Sequence, residues 1–198
     1  IYKKSKEFIL YNDSKEYENL RDKILTKFNS SQKNKKNDES LIHIDPKLIE
    51  FSYKYKNFSN SIDYVASEKK RIEINVLDGK IIRIKNLDIK NLDIKIINIE
   101  NKNDSIQEKF INFHDCSSKD YIFNLNSLFL NSGYELYIGP NQELDIYISN
   151  IVSEDDLTIF QKNIITCSKH SKVKIIEEYL LDKSSINNVV NFIDIQEN

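Results

Sequence analysis

Cys167-Ser168-Lys169-His170 sets a thiol three residues before an imidazole, the spacing of half a zinc site. Zinc needs three or four ligands, and the other candidates are His114 and Cys116, flanking Asp115 some fifty residues upstream. A site joining the two clusters is one reading. A turn between two strands that happens to hold Cys167 and His170 is the plainer one. A Cys–His nucleophile pair built from the same residues needs a third group to orient the imidazole, and none stands out. Glu177 and Glu178 are adjacent in an extended stretch, so they point to opposite faces and cannot work as a paired acid and base. Glu177 shares its face with Val173, Ile175 and Tyr179. A carboxylate there is expected at a corner of the fold, or opposite a lysine from a neighbouring strand. There is no Gly-rich phosphate loop, no Walker lysine motif and no His-x-x-x-His pattern. These residues predict no enzyme, and no catalytic, cofactor-binding or metal-binding residue is assigned.

The chain has 198 residues, 39% hydrophobic and 30% charged, enough for a real core inside a soluble surface. Net charge is −2 and pI about 6.0, so nothing at whole-chain level calls for nucleic acid or an anionic membrane. No apolar run approaches the ~18 residues that span a bilayer. The start, IYKKSKEF, has no apolar signal core, and the chain has no Met. The expectation is that Ile1 is not a native start and that the chain is a piece of a longer protein. Two cysteines do not make a disulfide framework, which favours a reducing, cytoplasm-like compartment. Ile, Asn, Lys and Tyr dominate, while Gly (3), Pro (2) and Trp (0) are scarce. That skew has the look of codon pressure, so Lys and Asn clusters carry little weight as signals.

The elements that would position any site follow from periodicity. Asp13, with Glu16 three residues on, starts a helix whose stripe is Tyr17, Leu20, Ile24, Leu25 and Phe28. Residues 29–40 read as a polar linker. Ile72, Ile74 and Val76 alternate, Asp78-Gly79 suits a two-residue hairpin turn, and Ile82 and Ile84 begin the return strand. Lys85 to Ile94 reads KNLDI twice. Two copies cannot stack into a pentapeptide solenoid, so short strands broken by turns, or one irregular strand and a loop, are expected there. Asp104 and Asp120 cap two short helices, the second closed by Asn131-Ser132-Gly133 with Gly in the left-handed conformation. From Tyr134 the period is two, with Gly139-Pro140-Asn141 as a turn and strand centres near 146, 161, 176 and 191. Spacing near fifteen is longer than the ~8–12 residues of hairpin-built sandwiches. It suits a parallel β-helix, with a sandwich as the alternative. The predicted class is α+β: an N-terminal helical and mixed region, then the first rungs of a right-handed parallel β-helix. The predicted divisions are 1–60, a helical segment with its linker; 61–133, a mixed region with a hairpin at 71–85 and two short helices; and 134–198, the start of the β-helix core.

Four stretches in this order resemble the SufB/SufD family, the scaffold proteins of the Suf iron–sulfur cluster assembly system, and the SufD branch above all. They are Tyr53-Lys-Tyr-Lys-Asn-Phe58, Val76-Leu-Asp-Gly-Lys80, Asp120 to Gly133, and YELYIGPNQELDIYI with VKIIEEYLL, which includes Glu177. The similarity runs from about residue 48 to 198 and rests on the order and spacing of the four stretches together. Tyr53 stands where the family usually has Trp, residues 84–102 have no clear counterpart, and the Cys-x-x-Cys often found in SufB-type chains is missing. The resemblance implies a non-enzymatic scaffold that pairs with a SufB-type partner and works with the SufC-type ATPase. In this family the SufC-binding helices and the cluster-building residues lie beyond the part matched, so the resemblance assigns no site residue and no cofactor to this segment. It implies no nucleic-acid or membrane partner, and a cytoplasmic or plastid-like location. Two rivals remain at this point. A β-helix enzyme on polysaccharide would want a carboxylate cluster on one face. A free-standing β-solenoid protein-binding module would have no role in iron–sulfur assembly.

Overall fold

Tyr17, Leu20, Ile24 and Leu25 fall on one side of helix α1, Lys15–Ser31, and all four are buried while Glu16, Glu18, Asp22 and Lys23 face out. The computed structural model describes residues 15–31, 63–65, 71–86, 93–99, 108–113, 121–180 and 183–197. The expected cap at Asp13, the stretch 53–58, most of the doubled pentapeptide (87–92) and the caps at Asp104 and Asp120 lie outside these residues. α1 continues through 29–31, the first three residues of the expected linker, and 32–40 lie outside the described residues. Asn and Ser are weak helix formers, yet in a last turn they cost only tenths of a kcal/mol, about 0.5 each.

Strands β1, Asp63–Val65, β2, Ile72–Leu77, and β3, Lys80–Lys85, follow. β2 and β3 form the expected hairpin, and Asp78 (φ 50°) and Gly79 (φ 80°) both take the positive φ that a type I′ turn needs. The return strand departs from the expected alternation. Val76 lies opposite Ile81 but Asn75 lies opposite Arg83, so Ile82 is the extra residue of a β-bulge. The bulge turns Ile81 and Ile84 inward together and leaves Ile82 half-buried. The Asp78 carboxylate accepts from Ser153 N (2.8 Å) and Ser153 Oγ (2.6 Å), and Asp78 N donates to Ile151 O (3.0 Å). The hairpin tip is thereby tied to Ile151 and Ser153. Asp78→Ala loses both carboxylate bonds and puts a poor residue at positive φ, an expected loss of about 2–3 kcal/mol in urea unfolding. Asp78→Asn, which tolerates that φ and can still accept one bond, should lose about half as much.

β4, Ile94–Asn98, a helical stretch over 108–113 and helix α2, Tyr121–Phe129, lead into β5, Ser132–Ile138. Gly133 is not a helix cap. α2 ends at Phe129, and Gly133 sits inside β5 at φ 145°, where a Cβ would lie 2.9 Å from the Lys162 carbonyl carbon. β6, Glu143–Ile151, β7, Thr158–Cys167, β8, Lys172–Leu180, and β9, Ile186–Ile195, complete the chain. Pro140-Asn141 turns as expected, with Asn141 at φ 58°.

The class is α+β, dominated by two sheets of mixed pairing with no closed barrel among the described residues. One sheet runs β1-β3-β2-β6-β8 and the other β4-β5-β7-β9. β2–β3 and β4–β5 are antiparallel; every other pairing is parallel. From β5 onward, each strand lies in the sheet opposite its predecessor and pairs with the strand two places on. Ser132 faces Gln161, Glu143 faces Lys172 and Thr158 faces Ile186, so one circuit of both sheets takes 28–29 residues. β2 and β4, from the region before residue 134, join the same two sheets. Ile72, Ile74, Leu136, Ile138, Ile146 and Ile148 form the core between the sheets. A second core lies where α1, the 108–113 stretch and α2 cover the outer face of the four-stranded sheet. Phe129 packs on Phe160 there (5.4 Å between centroids), and Phe113 stacks on Phe192 (4.5 Å). Among the described residues no helix is long and apolar enough to cross a membrane.

Candidate functional site

The inward positions of the five-stranded sheet form columns across β2, β6 and β8: Ile72-Ile146-Ile175, Ile74-Ile148-Glu177 and Val76-Asn150-Tyr179. The four-stranded sheet adds the column Tyr134-Asn163-Asn191. Polarity therefore grows from β2 toward β8 and β9. The polar members bond across the space between the sheets. Gln161 Nε2 donates to Asn163 Oδ1 (2.9 Å), and Asn163 Nδ2 to Asn191 Oδ1 (2.7 Å). Asn191 Nδ2 then donates to Glu177 Oε2 (3.1 Å), and Asn150 Nδ2 to Glu177 Oε1 (3.2 Å). Glu177 thus shares its face with Val173, Ile175 and Tyr179 as expected, but its partners are amides from both sheets and not a lysine. An amide suits this place better, because it satisfies the carboxylate without burying a second charge.

Tyr179 also hydrogen-bonds Glu177; burial first, and then the carboxylate's charge, hold its phenol protonated far above the ordinary range. Tyr134 is fully buried, and burial with the nearby Glu177 charge raises its pKa as well. Glu178 points to the other face and accepts from Tyr147, whose phenol that bond pushes up. The two carboxylates are thus separated by the sheet. What the inner seam does is fix register: the bonds Asn163–Asn191, Asn191–Glu177 and Asn150–Glu177 join residues that meet only when the circuits are aligned.

Cys167 ends β7 and packs against the core between the sheets, while His170 is exposed in the β7–β8 turn at φ 61°. Burial, and then Asp194, raise the Cys167 thiol's pKa, the wrong direction for a nucleophile or a metal ligand. His114 and Cys116 lie outside the described residues. Among the described residues no group of three His, Cys, Asp or Glu side chains is arranged to hold a metal.

Lys162 was not singled out from the sequence. It is wholly buried on the helix-covered face of β7, its Nζ donating to Ser127 Oγ (2.6 Å) and lying 4.9 Å from the Phe123 ring. A neutral lysine beside a serine can drive nucleophilic catalysis, but both side chains are fully buried, so no substrate reaches this pair. The available signal was Phe160 and Ile164 two residues to either side, which put Lys162 on an otherwise apolar face at the middle of the strand. No protein-family model, no curated protein and no solved structure matches this chain.

Proposed function

We propose that the chain is a SufD-like scaffold component of Suf iron–sulfur cluster assembly, working without catalysis of its own beside a SufB-type partner and the SufC-type ATPase. In this reading β5 to β9 are the opening rungs of a right-handed parallel β-helix. The observation that carries it is the alternation of those strands between two sheets with parallel pairing every 28–29 residues. It supports the reading because it falls on the stretches that carry the resemblance: YELYIGPNQELDIYI covers most of β5 and β6, and VKIIEEYLL covers β8 from Val173 on. A further support is the Asp78-Gly79 hairpin, whose β2 forms the sheet neighbour of β6. Neighbouring rungs stabilise one another by covering apolar faces and by the amide seam around Glu177. The iron–sulfur cluster is the cargo of the complex, and this segment holds no cofactor. The compartment is the cytoplasm or a plastid-like organelle.

The protein expressed from its own gene, with SufB-type and SufC-type partners from the same source, is expected to co-purify with both in fixed stoichiometry. Recovery of the chain free of both partners would reject the proposal and leave a protein-binding module of another pathway.

A further inference from the structure

The side-chain nitrogen of Lys162 is the point where three helical pieces meet the four-stranded sheet. Its Nζ donates to Ser127 Oγ of α2 (2.6 Å) and lies 4.9 Å from the Phe123 ring of α2 and 5.7 Å from the Phe110 ring of the 108–113 stretch. Tyr17 of α1 donates to Ser127 O (3.2 Å), so α1 joins the same cluster. Phe110, Ser127 and Lys162 are all fully buried.

The charges that face this cluster come from few places. α1 brings the Arg21 guanidinium, which lies over the Tyr17 ring (5.2 Å). α2 carries no ionisable side chain from Ile122 to Phe129. The 108–113 stretch carries Glu108, which is exposed, and Lys109, which is bound to Glu135 of β5. On β9 the one ionisable side chain is Asp194, opposite Thr166 and four residues along the strand from Lys162. Among the described residues the named neighbours therefore offer Lys162 one added positive charge, and the carboxylate on the adjoining strand β5, Glu135, is already engaged by Lys109.

We infer that Lys162 is a proton-controlled clamp: uncharged, it lets α1, α2 and the 108–113 stretch seat on the four-stranded sheet, and its protonation loosens that helical layer. Burial, and then Arg21, lower its pKa from 10.5 to about 7. The sign follows from linkage. Between about pH 7 and 10.5 the opened layer takes up a proton that the seated layer does not hold, so seating strengthens as pH rises. Below about pH 7 both states are protonated and the dependence ends. The opening constant changes by up to about tenfold per pH unit within the window. This inference stands independently of the iron–sulfur reading, and co-purification with Suf partners does not bear on it.

The test is amide hydrogen exchange on the intact chain from pH 7 to 9, with protection factors corrected for intrinsic exchange. Wild-type amides of α2 and 108–113 are expected to gain up to about tenfold protection per pH unit relative to β6. In Lys162→Met that slope should vanish. A flat wild-type profile, or a slope retained in Lys162→Met, overturns the inference. Should the variant not fold, a carbon-detected NMR titration of the lysine side chains in the wild type decides: a Lys162 midpoint near 7 supports the clamp, and one above 10 rejects it.

Discussion

Gly133→Ala should leave little folded protein. At φ 145° the backbone occupies a region that only glycine adopts without strain of about 1–3 kcal/mol. The steric term is larger. A Cβ at Gly133 would fall inside contact distance of the Lys162 carbonyl oxygen and lie 2.9 Å from the carbonyl carbon. That carbonyl belongs to β7, held between β5 and β9, and cannot swing aside as a side-chain tip would. Gly133 O also accepts from Ile99 N (3.1 Å), so moving β5 away would disturb the neighbouring segment after β4 too. The combined loss is expected to exceed about 4 kcal/mol, a large part of the ~5–15 kcal/mol that holds a typical domain together. Soluble yield and the urea midpoint read it directly. A midpoint equal to the wild type's would mean that β5 and β7 do not approach as closely as Gly133 allows.

That glycine marks where sequence reading stopped. The Asp78-Gly79 turn was legible because its demand is local: two adjacent residues at positive φ. The parity of β5 and β6 was legible for the same reason, since Leu136 and Ile146 alternate with polar neighbours. Gly133 follows a helix closely enough to pass for its cap, and only the distant Lys162 carbonyl reveals why it must be glycine. In Lys80-Ile-Ile-Arg-Ile84 the apolar residues allow either parity, so the bulge at Ile82 left no local trace. Glu177 looked misplaced because its partners, Asn150 and Asn191, stand 27 and 14 residues away. In a chain rich in asparagine, the ones that build the seam look like filler. Lys162 was hidden more thoroughly, since the rings and hydroxyl around it come from α2 and the 108–113 stretch rather than from its own strand.

The same long-range logic makes Asn126 the second costly position. It is fully buried on α2, and its Nδ2 faces Gln161 O (3.0 Å), Asn188 O (2.8 Å) and Asn188 Oδ1 (3.2 Å). Asn188 Nδ2 returns a bond to Ile122 O (3.3 Å), so helix and sheet exchange bonds in both directions. One amide group thus ties α2 to β7 and β9 at the level where those strands pair. Asn126→Ala leaves two strand carbonyls facing an apolar layer without their donor. At about 1–3 kcal/mol for each unsatisfied buried group, the expected loss is about 2–4 kcal/mol in urea unfolding, with weakened near-ultraviolet dichroism from the helical layer. Asn126→Leu separates bonding from packing: it restores volume but offers no donor, so it should lose nearly as much as alanine. Asn126→Asp keeps the shape and turns a donor into a second acceptor against the same carbonyls, so it should lose more than either. A leucine variant as stable as the wild type would mean that Asn126 acts by filling space. Equal losses in alanine and leucine, with aspartate worse, would mean that the helical layer is held on the sheet by one amide and the packing around it.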